Sequence, residues 1–137
     1  ARALHGAIRA GLVRACHDCS EGGLGVALAE MALAGHRGAE VHVMDVPCAE
    51  AQAAPAMDWV LFSESNGRYL VEVAPEDAVA FEALLEDVPY GRIGVTRDDG
   101  TLVVRGHGDE AFTLDVATLR TAWRGHLAAG AGEEEKA

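Results

Sequence analysis

Between residues 22 and 34 the chain reads GGLGVALAEMALA, and its only charge is Glu30. Leu24, Val26, Ala27, Leu28, Ala29, Met31, Ala32, Leu33 and Ala34 cover nearly every face of a helix at 3.6-residue spacing. A helix on the surface of a domain keeps a polar half, so this one has to be covered on two sides. Two arrangements satisfy that demand. Either the helix is the centre of this domain's own core, or one of its sides is completed by a partner. Gly35 directly after it is an ordinary C-terminal stop.

The segments around this helix supply layers that could cover it. Leu4, Ala7, Ile8, Gly11 and Leu12 recur at helical spacing and predict a short first helix. A strand is predicted from residue 12 or 13 to residue 17, and AEVHV, residues 39–43, alternates like another. Residues 47–56 read as an Ala-rich loop between prolines with a short helical turn. MDWVLFSES, from residue 57, reads as a short helix running into a loop. Residues 67–74 form a clear strand pattern. Pro75-Glu76-Asp77 then opens a helix, since proline is tolerated in a first turn and acids favour its positive end. Ala78, Phe81, Leu85 and Val88 are its predicted apolar stripe. YGRIGVT and TLVVRG flank Asp98-Asp99-Gly100, which predicts a hairpin. AFTLDV predicts a last strand, and Val116, Leu119 and Trp123 a last helix. The expected architecture is α+β, a mixed, largely antiparallel sheet packed with helices.

A chain of 137 residues is long enough for one domain with a real core. We expect that domain over residues 1–127 and a disordered acidic tail over 128–137, where AAGAGEEEKA ends the sequence. A net charge of −11 argues against nucleic acid, which requires clustered Lys and Arg, and against an anionic membrane surface. No apolar run is long enough to span a bilayer. Three cysteines cannot all pair within the chain, and the sequence carries no secretory pattern, so the expected location is the cytoplasm. The start at Ala1, directly in helical pattern, leads us to expect a piece of a longer chain.

Two stretches carry candidate chemistry. In CHDCSEGG, Cys16 and Cys19 have redox or zinc spacing. A redox pair, however, sits at a helix start, and zinc needs about four ligands. The alternative is a strand, a glycine turn and a helix. There Gly22 and Gly23 let backbone approach a ligand, helix-start N–H groups hold an anion such as phosphate, and Asp18 binds a metal ion or a hydroxyl. A tight connection with no ligand fits the same residues. The second stretch is FSESNGR, where Ser63, Glu64, Ser65 and Asn66 gather polar groups before a strand and Arg68 could pair with Glu64. A plain polar turn with Ser or Asn caps also explains it.

Taken together, HDCSEGGLGVALAEM followed by LFSESNGRYLVEV resembles the C-terminal domain of the phosphoribosylformylglycinamidine synthase family. The closing GRIGVT, LVVRG and LDVATLRTAW patterns are also similar to that family's end. Aminoimidazole ribonucleotide synthetase, selenophosphate synthetase, thiamine monophosphate kinase and hydrogenase maturation factor E share the glycine turn. They usually lack the Ser-Glu-Ser stretch.

The resemblance implies an ATP-dependent ligase of purine biosynthesis. It converts formylglycinamide ribonucleotide to the amidine with ATP, Mg and glutamine-derived ammonia. It implies that this is the second of two C-terminal-type domains, inactive and without cofactor alone. Its partners would be the remaining synthetase domains, a glutaminase subunit and a small accessory subunit. By analogy with the first such domain, Asp18 matches a Mg-binding Asp and Glu64-Ser65-Asn66 a substrate-binding Glu-Ser-Gln, with Asn66 replacing Gln. Gly22, Gly23, Glu64, Ser65, Asn66 and Arg68 are therefore the substrate or phosphate candidates, Asp18 the metal candidate, and no residue here is expected to be catalytic. The rival readings are a non-catalytic anion- or nucleotide-binding assembly module and a domain of another superfamily member such as selenophosphate synthetase.

Overall fold

A computed structural model of the chain describes residues 2–48 and 55–130, with side chains to residue 125. The helices are α1 (Arg2–Arg9), α2 (Gly23–Gly35), α3 (Met57–Phe62), α4 (Ala78–Ala83) and α5 (Val116–Gly130). The strands are β1 (Ala15–Asp18), β2 (Gly38–His42), β3 (Tyr69–Glu72), β4 (Gly94–Arg97), β5 (Thr101–Arg105) and β6 (Ala111–Asp115). Most of the loop expected over 47–56 lies outside the described residues. The last helix runs to Gly130, past the expected tail boundary at 128, and residues 131–137 of that tail also lie outside them.

The strands form two sheets. β1 and β3 pair antiparallel, with Asp18 opposite Tyr69 and Ala15 opposite Glu72. The larger sheet has the order β4-β2-β5-β6, in which only the β2–β5 pair is parallel. The fold is thus α+β with a mixed, largely antiparallel sheet, as the sequence led us to expect.

The hairpin expected at Asp98-Asp99-Gly100 does not form, because β2 lies between β4 and β5. Gly100, at φ 67°, turns the chain, but the connection steps across the start of β2. Arg37 pairs with Asp98 there, and the Thr101 N–H donates to Asp99 Oδ1 at 3.1 Å. Gly38 has no room for a Cβ, which would run into the Thr101 backbone. Glu40, on the inserted strand, ties the sheet across its outer face. It accepts from Arg97 of β4 at 2.8 Å and from Arg105 of β5 at 2.6 Å. Two further expectations need correction. The helix after Pro75 is only α4, preceded by a 3-10 turn at Pro75–Asp77; Leu85 is buried beyond its end, and Val88 is exposed. At the end of α2 the left-handed residue is His36, at φ 54°, with Gly35 still helical.

α2 is the centre of the domain. Its Leu24, Ala27 and Leu28 are buried with Val41 and Val43, Val60 and Leu61 of α3, and Leu102 and Val104 of β5. It touches α3, α5, β1 and β3. Residues 22–33 include no exposed position. The apolar sides are therefore satisfied within this chain, and the partner arrangement is not needed to explain them.

Candidate functional site

The site is built where β1 ends. Antiparallel pairing puts the end of β1 beside the start of β3, and so brings the β1–α2 turn next to the 63–68 loop. Cys19 N–H donates to the Arg68 carbonyl at 3.0 Å, continuing that pairing by one residue. The turn then uses left-handed backbone at Gly22 (φ 73°) and Gly23 (φ 63°) to enter the helix. The start of α2 lies directly against the end of α3. A Cβ on Gly23 would sit 2.7 Å from the Leu61 carbonyl oxygen and 2.8 Å from that of Ser63. This glycine admits neighbouring protein backbone.

Glu64 is the residue that joins the two stretches. Its Oε1 accepts the Gly22 N–H at 2.8 Å. The first free donor of α2 thus meets an internal carboxylate, favourably placed at the positive end of the helix dipole. Arg68 does not pair with Glu64. Its guanidinium donates to the Ser63 carbonyl and Oγ at 3.2 and 3.0 Å, and to the Val60 carbonyl at 3.4 Å. It therefore satisfies carbonyls at the C-terminal end of α3, a normal role for a cation there. Ser65 and Asn66 stand exposed at the tip of the loop.

Asp18 is exposed, and its carboxylate accepts from the Ser20 hydroxyl. That bond holds its pKa below the ordinary Asp value, with a smaller contribution from His17. The two nearby cysteines are in the opposite condition. Burial pushes both thiols up, and the charge of Asp18 adds to this. Among the described residues no group of three or more His, Cys, Asp and Glu side chains is placed to hold a metal ion. The glycine-turn reading of this stretch explains both thiols, which lack the lowered pKa of a reactive pair.

An open cavity of about 600 Å³ lies against this turn. It is lined by His17, Asp18, Ser20, Glu21 and Gly22 of the turn, by Val26, Ala27 and Glu30 of α2, and by Trp123 of α5. Of the residues singled out from sequence, Asp18 and Gly22 line it. Gly23, Glu64, Ser65, Asn66 and Arg68 do not, although Glu64 accepts the Gly22 N–H. His17, Glu30 and Trp123 were not singled out. His17 Nε2 lies 2.9 Å from Glu30 Oε2, and Nδ1 lies 2.7 Å from the Asp18 carbonyl. Glu30 carried a readable signal, since the single charge on an otherwise apolar helix calls for a partner.

In sequence and in fold the chain is similar to known proteins. Residues 1–107 match the family described as AIR synthase related protein, C-terminal domain. Among curated proteins the chain is similar to phosphoribosylformylglycinamidine synthase subunit PurL of Moorella thermoacetica, 46% identical over 120 residues and 85% of this chain. It is also similar to that subunit of Synechocystis sp., 38% identical over 128 residues and 90% of this chain. The chain spans only 15% and 16% of those relatives' lengths. Among solved structures it resembles T. maritima PurL complexed with FGAR, with a TM-score of 0.75 and 26% identity. The ATP complex of T. maritima PurL gives a TM-score of 0.76 and 25% identity. Each match covers 86% of this chain and 20% of the other. Hydrogenase maturation protein HypE shares the fold, with a TM-score of 0.66 at 20% identity. With the family matched over residues 1–107 and the fold matched independently, this chain belongs to the AIR synthase related protein C-terminal domain family.

Proposed function

We propose that this chain serves as the C-terminal domain of a phosphoribosylformylglycinamidine synthase, the ATP-dependent ligase that makes the amidine from formylglycinamide ribonucleotide. The observation that carries the reading is the Glu64–Gly22 bond, which locks HDCSEGG and SESN into one unit in a chain similar to PurL. The synthetase fold similarity favours this reading over selenophosphate synthetase and over an assembly module alone. The proposed partners are the remaining synthetase domains, a glutaminase subunit and a small accessory subunit. Support comes from the similar PurL chains and from a solved assembly described as PurLQS. The proposed location is the cytoplasm; no described helix is long and apolar enough to cross a membrane. We read the domain as running to the end of α5 at Gly130, past the boundary expected from sequence.

The donor set supports a particular way of meeting ATP and Mg. With Gly22 N–H engaged by Glu64, a bare phosphate at the helix start would displace a carboxylate and face Asp18, Glu21 and Glu64. A Mg ion carried by phosphates usually takes one or two protein carboxylates. Asp18, exposed and held ionised by Ser20, fits that single-carboxylate role. When bound, the metal would supply charge neutralisation for the phosphates. This chain's own contribution is to orient Asp18 through Ser20 and to hold the loop of Ser65 and Asn66 against the Gly22 turn through Glu64. No residue here is assigned to the chemical step, because phosphoryl chemistry needs metal, phosphate clamps and nucleophile assembled together.

The test compares amidine formation from formylglycinamide ribonucleotide, ATP and ammonia by the longer synthetase and by residues 1–137 alone. The expected result is turnover by the first and none by the second. Turnover by this chain alone, or none by the synthetase with any of these substrates, overturns the reading.

A further inference from the structure

The helix leading into the Glu64 loop leaves its aromatic side open. Trp59 and Phe62 are three residues apart on α3 and so share a face. They are 58% and 57% exposed, whereas Val60 and Leu61 on the other side are 1% and 2% exposed. The Phe62 ring is laid on α2 at Gly25; a Cβ there would come within 2.9 Å of it. The ring is thus seated on rigid helix with its other side free. Asp58, next to Trp59 in the chain, turns its Oδ1 onto the Trp59 N–H at 2.8 Å. The result is a preorganised aromatic surface, and exposed aromatics of this kind are the usual anchors of protein interfaces.

We infer that the Trp59–Phe62 face is the docking surface for an apolar patch on a neighbouring domain of the longer synthetase chain. The inference rests on the proposed function for the identity of that chain. Two observations select this occupant. The protein spans only 15–16% of the length of its similar PurL chains, so the remaining domains are a large nearby surface. A second copy of this chain is disfavoured by charge, since each copy carries −11. The face ends at Ser63, so docking there holds the Glu64–Asn66 loop between its own α2 and the neighbouring domain.

Hydroxyl-radical footprinting read by mass spectrometry tests this on residues 1–137 alone and on the longer synthetase at matched radical dose. Anchors sealed from water should oxidise much more slowly, so Trp59 and Phe62 are expected to be protected at least about fivefold in the synthetase. Equal oxidation in the two samples overturns the inference. So does concentration-dependent protection in residues 1–137 alone, which would assign the face to a second copy. Amidine formation is measured on the same synthetase sample. An active synthetase with Trp59 and Phe62 unprotected removes the docking face and leaves the proposed function standing. An inactive one with both protected upholds the docking face and removes the function.

Discussion

Replacing Gly23 with alanine tests the physical basis of the site, because that position is where the glycine turn meets the loop. Its φ of 63° costs a non-glycine residue about 1–2 kcal/mol. The added Cβ would also sit 2.7 and 2.8 Å from two carbonyl oxygens of the Leu61–Ser63 backbone, which is not free to swing away as a side chain would. Overpacking of this kind costs about 1–3 kcal/mol. The sum is about 2–5 kcal/mol, which for a domain of this size lowers Tm by roughly 10 °C or more. Gly35→Ala is the matched control. It lies in the same helix with nothing within 4 Å of the added Cβ, and should change stability by between zero and about 1 kcal/mol in the favourable direction. Thermal and urea unfolding followed by circular dichroism measure both. If Gly23→Ala falls within about 1 kcal/mol of Gly35→Ala, the close approach of α2 to the loop does not constrain the fold as argued.

Three further outcomes are expected. Arg68→Ala should destabilise the domain by about 1.5–3 kcal/mol in urea unfolding, because charged hydrogen bonds to Ser63 and Val60 are lost, whereas Arg68→Gln should recover part of it. Hydrogen bonding from Arg105, then from Arg97, holds Glu40 below the ordinary Glu range; since the unfolded chain then binds protons more readily, this stability is present above the ordinary carboxylate range and lost as pH falls through the lowered value. Glu40→Gln should therefore flatten the acid side of the stability–pH curve, and an unchanged acid side would refute the pairing. Cys16→Ser together with Cys19→Ser should leave fold and zinc content unchanged, and Cys19, 4% exposed, should resist alkylation until the chain unfolds.

The parts of this fold that were legible in sequence share a property: their signal is local. α2 could be placed because its apolar coverage leaves only one kind of environment. β3 could be placed from the clear strand pattern of residues 67–74. The 98–100 turn misled for the complementary reason. Asp-Asp-Gly flanked by alternating strands specifies a reversal, but not which strands fill the ladder. β2 enters between β4 and β5 through Gly38 beneath Thr101 and Glu40 between two arginines, contacts spanning roughly sixty residues that no local pattern encodes. The site divides in the same way. Gly22 and Gly23 were visible as a turn, but their actual neighbours, the Glu64 carboxylate and the Leu61–Ser63 backbone, come from a distant segment. Proximity in sequence suggests that Arg68 could pair with Glu64, whereas in the fold it reaches the carbonyls at the end of α3. In sequence His17 stands out only as a possible ligand beside Cys16 and Cys19, and Trp123 only as part of the apolar stripe of the last helix.

The central claim is that Asp18 and Glu64 belong to one unit that serves the synthetase through a metal-bridged contact. Steady-state kinetics of the longer synthetase bearing Asp18→Asn, measured against ATP across a range of Mg concentrations, tests it most directly. The side chain is exposed and the exchange keeps its shape, so fold and Tm should be retained. The account predicts at least a tenfold loss in kcat/KM for ATP, about 1.4 kcal/mol, partly recovered at high Mg, with Glu64→Gln showing a smaller loss of the same kind. Wild-type kinetics at every Mg concentration from a folded Asp18→Asn synthetase would contradict it, and would leave the two stretches as a structural turn.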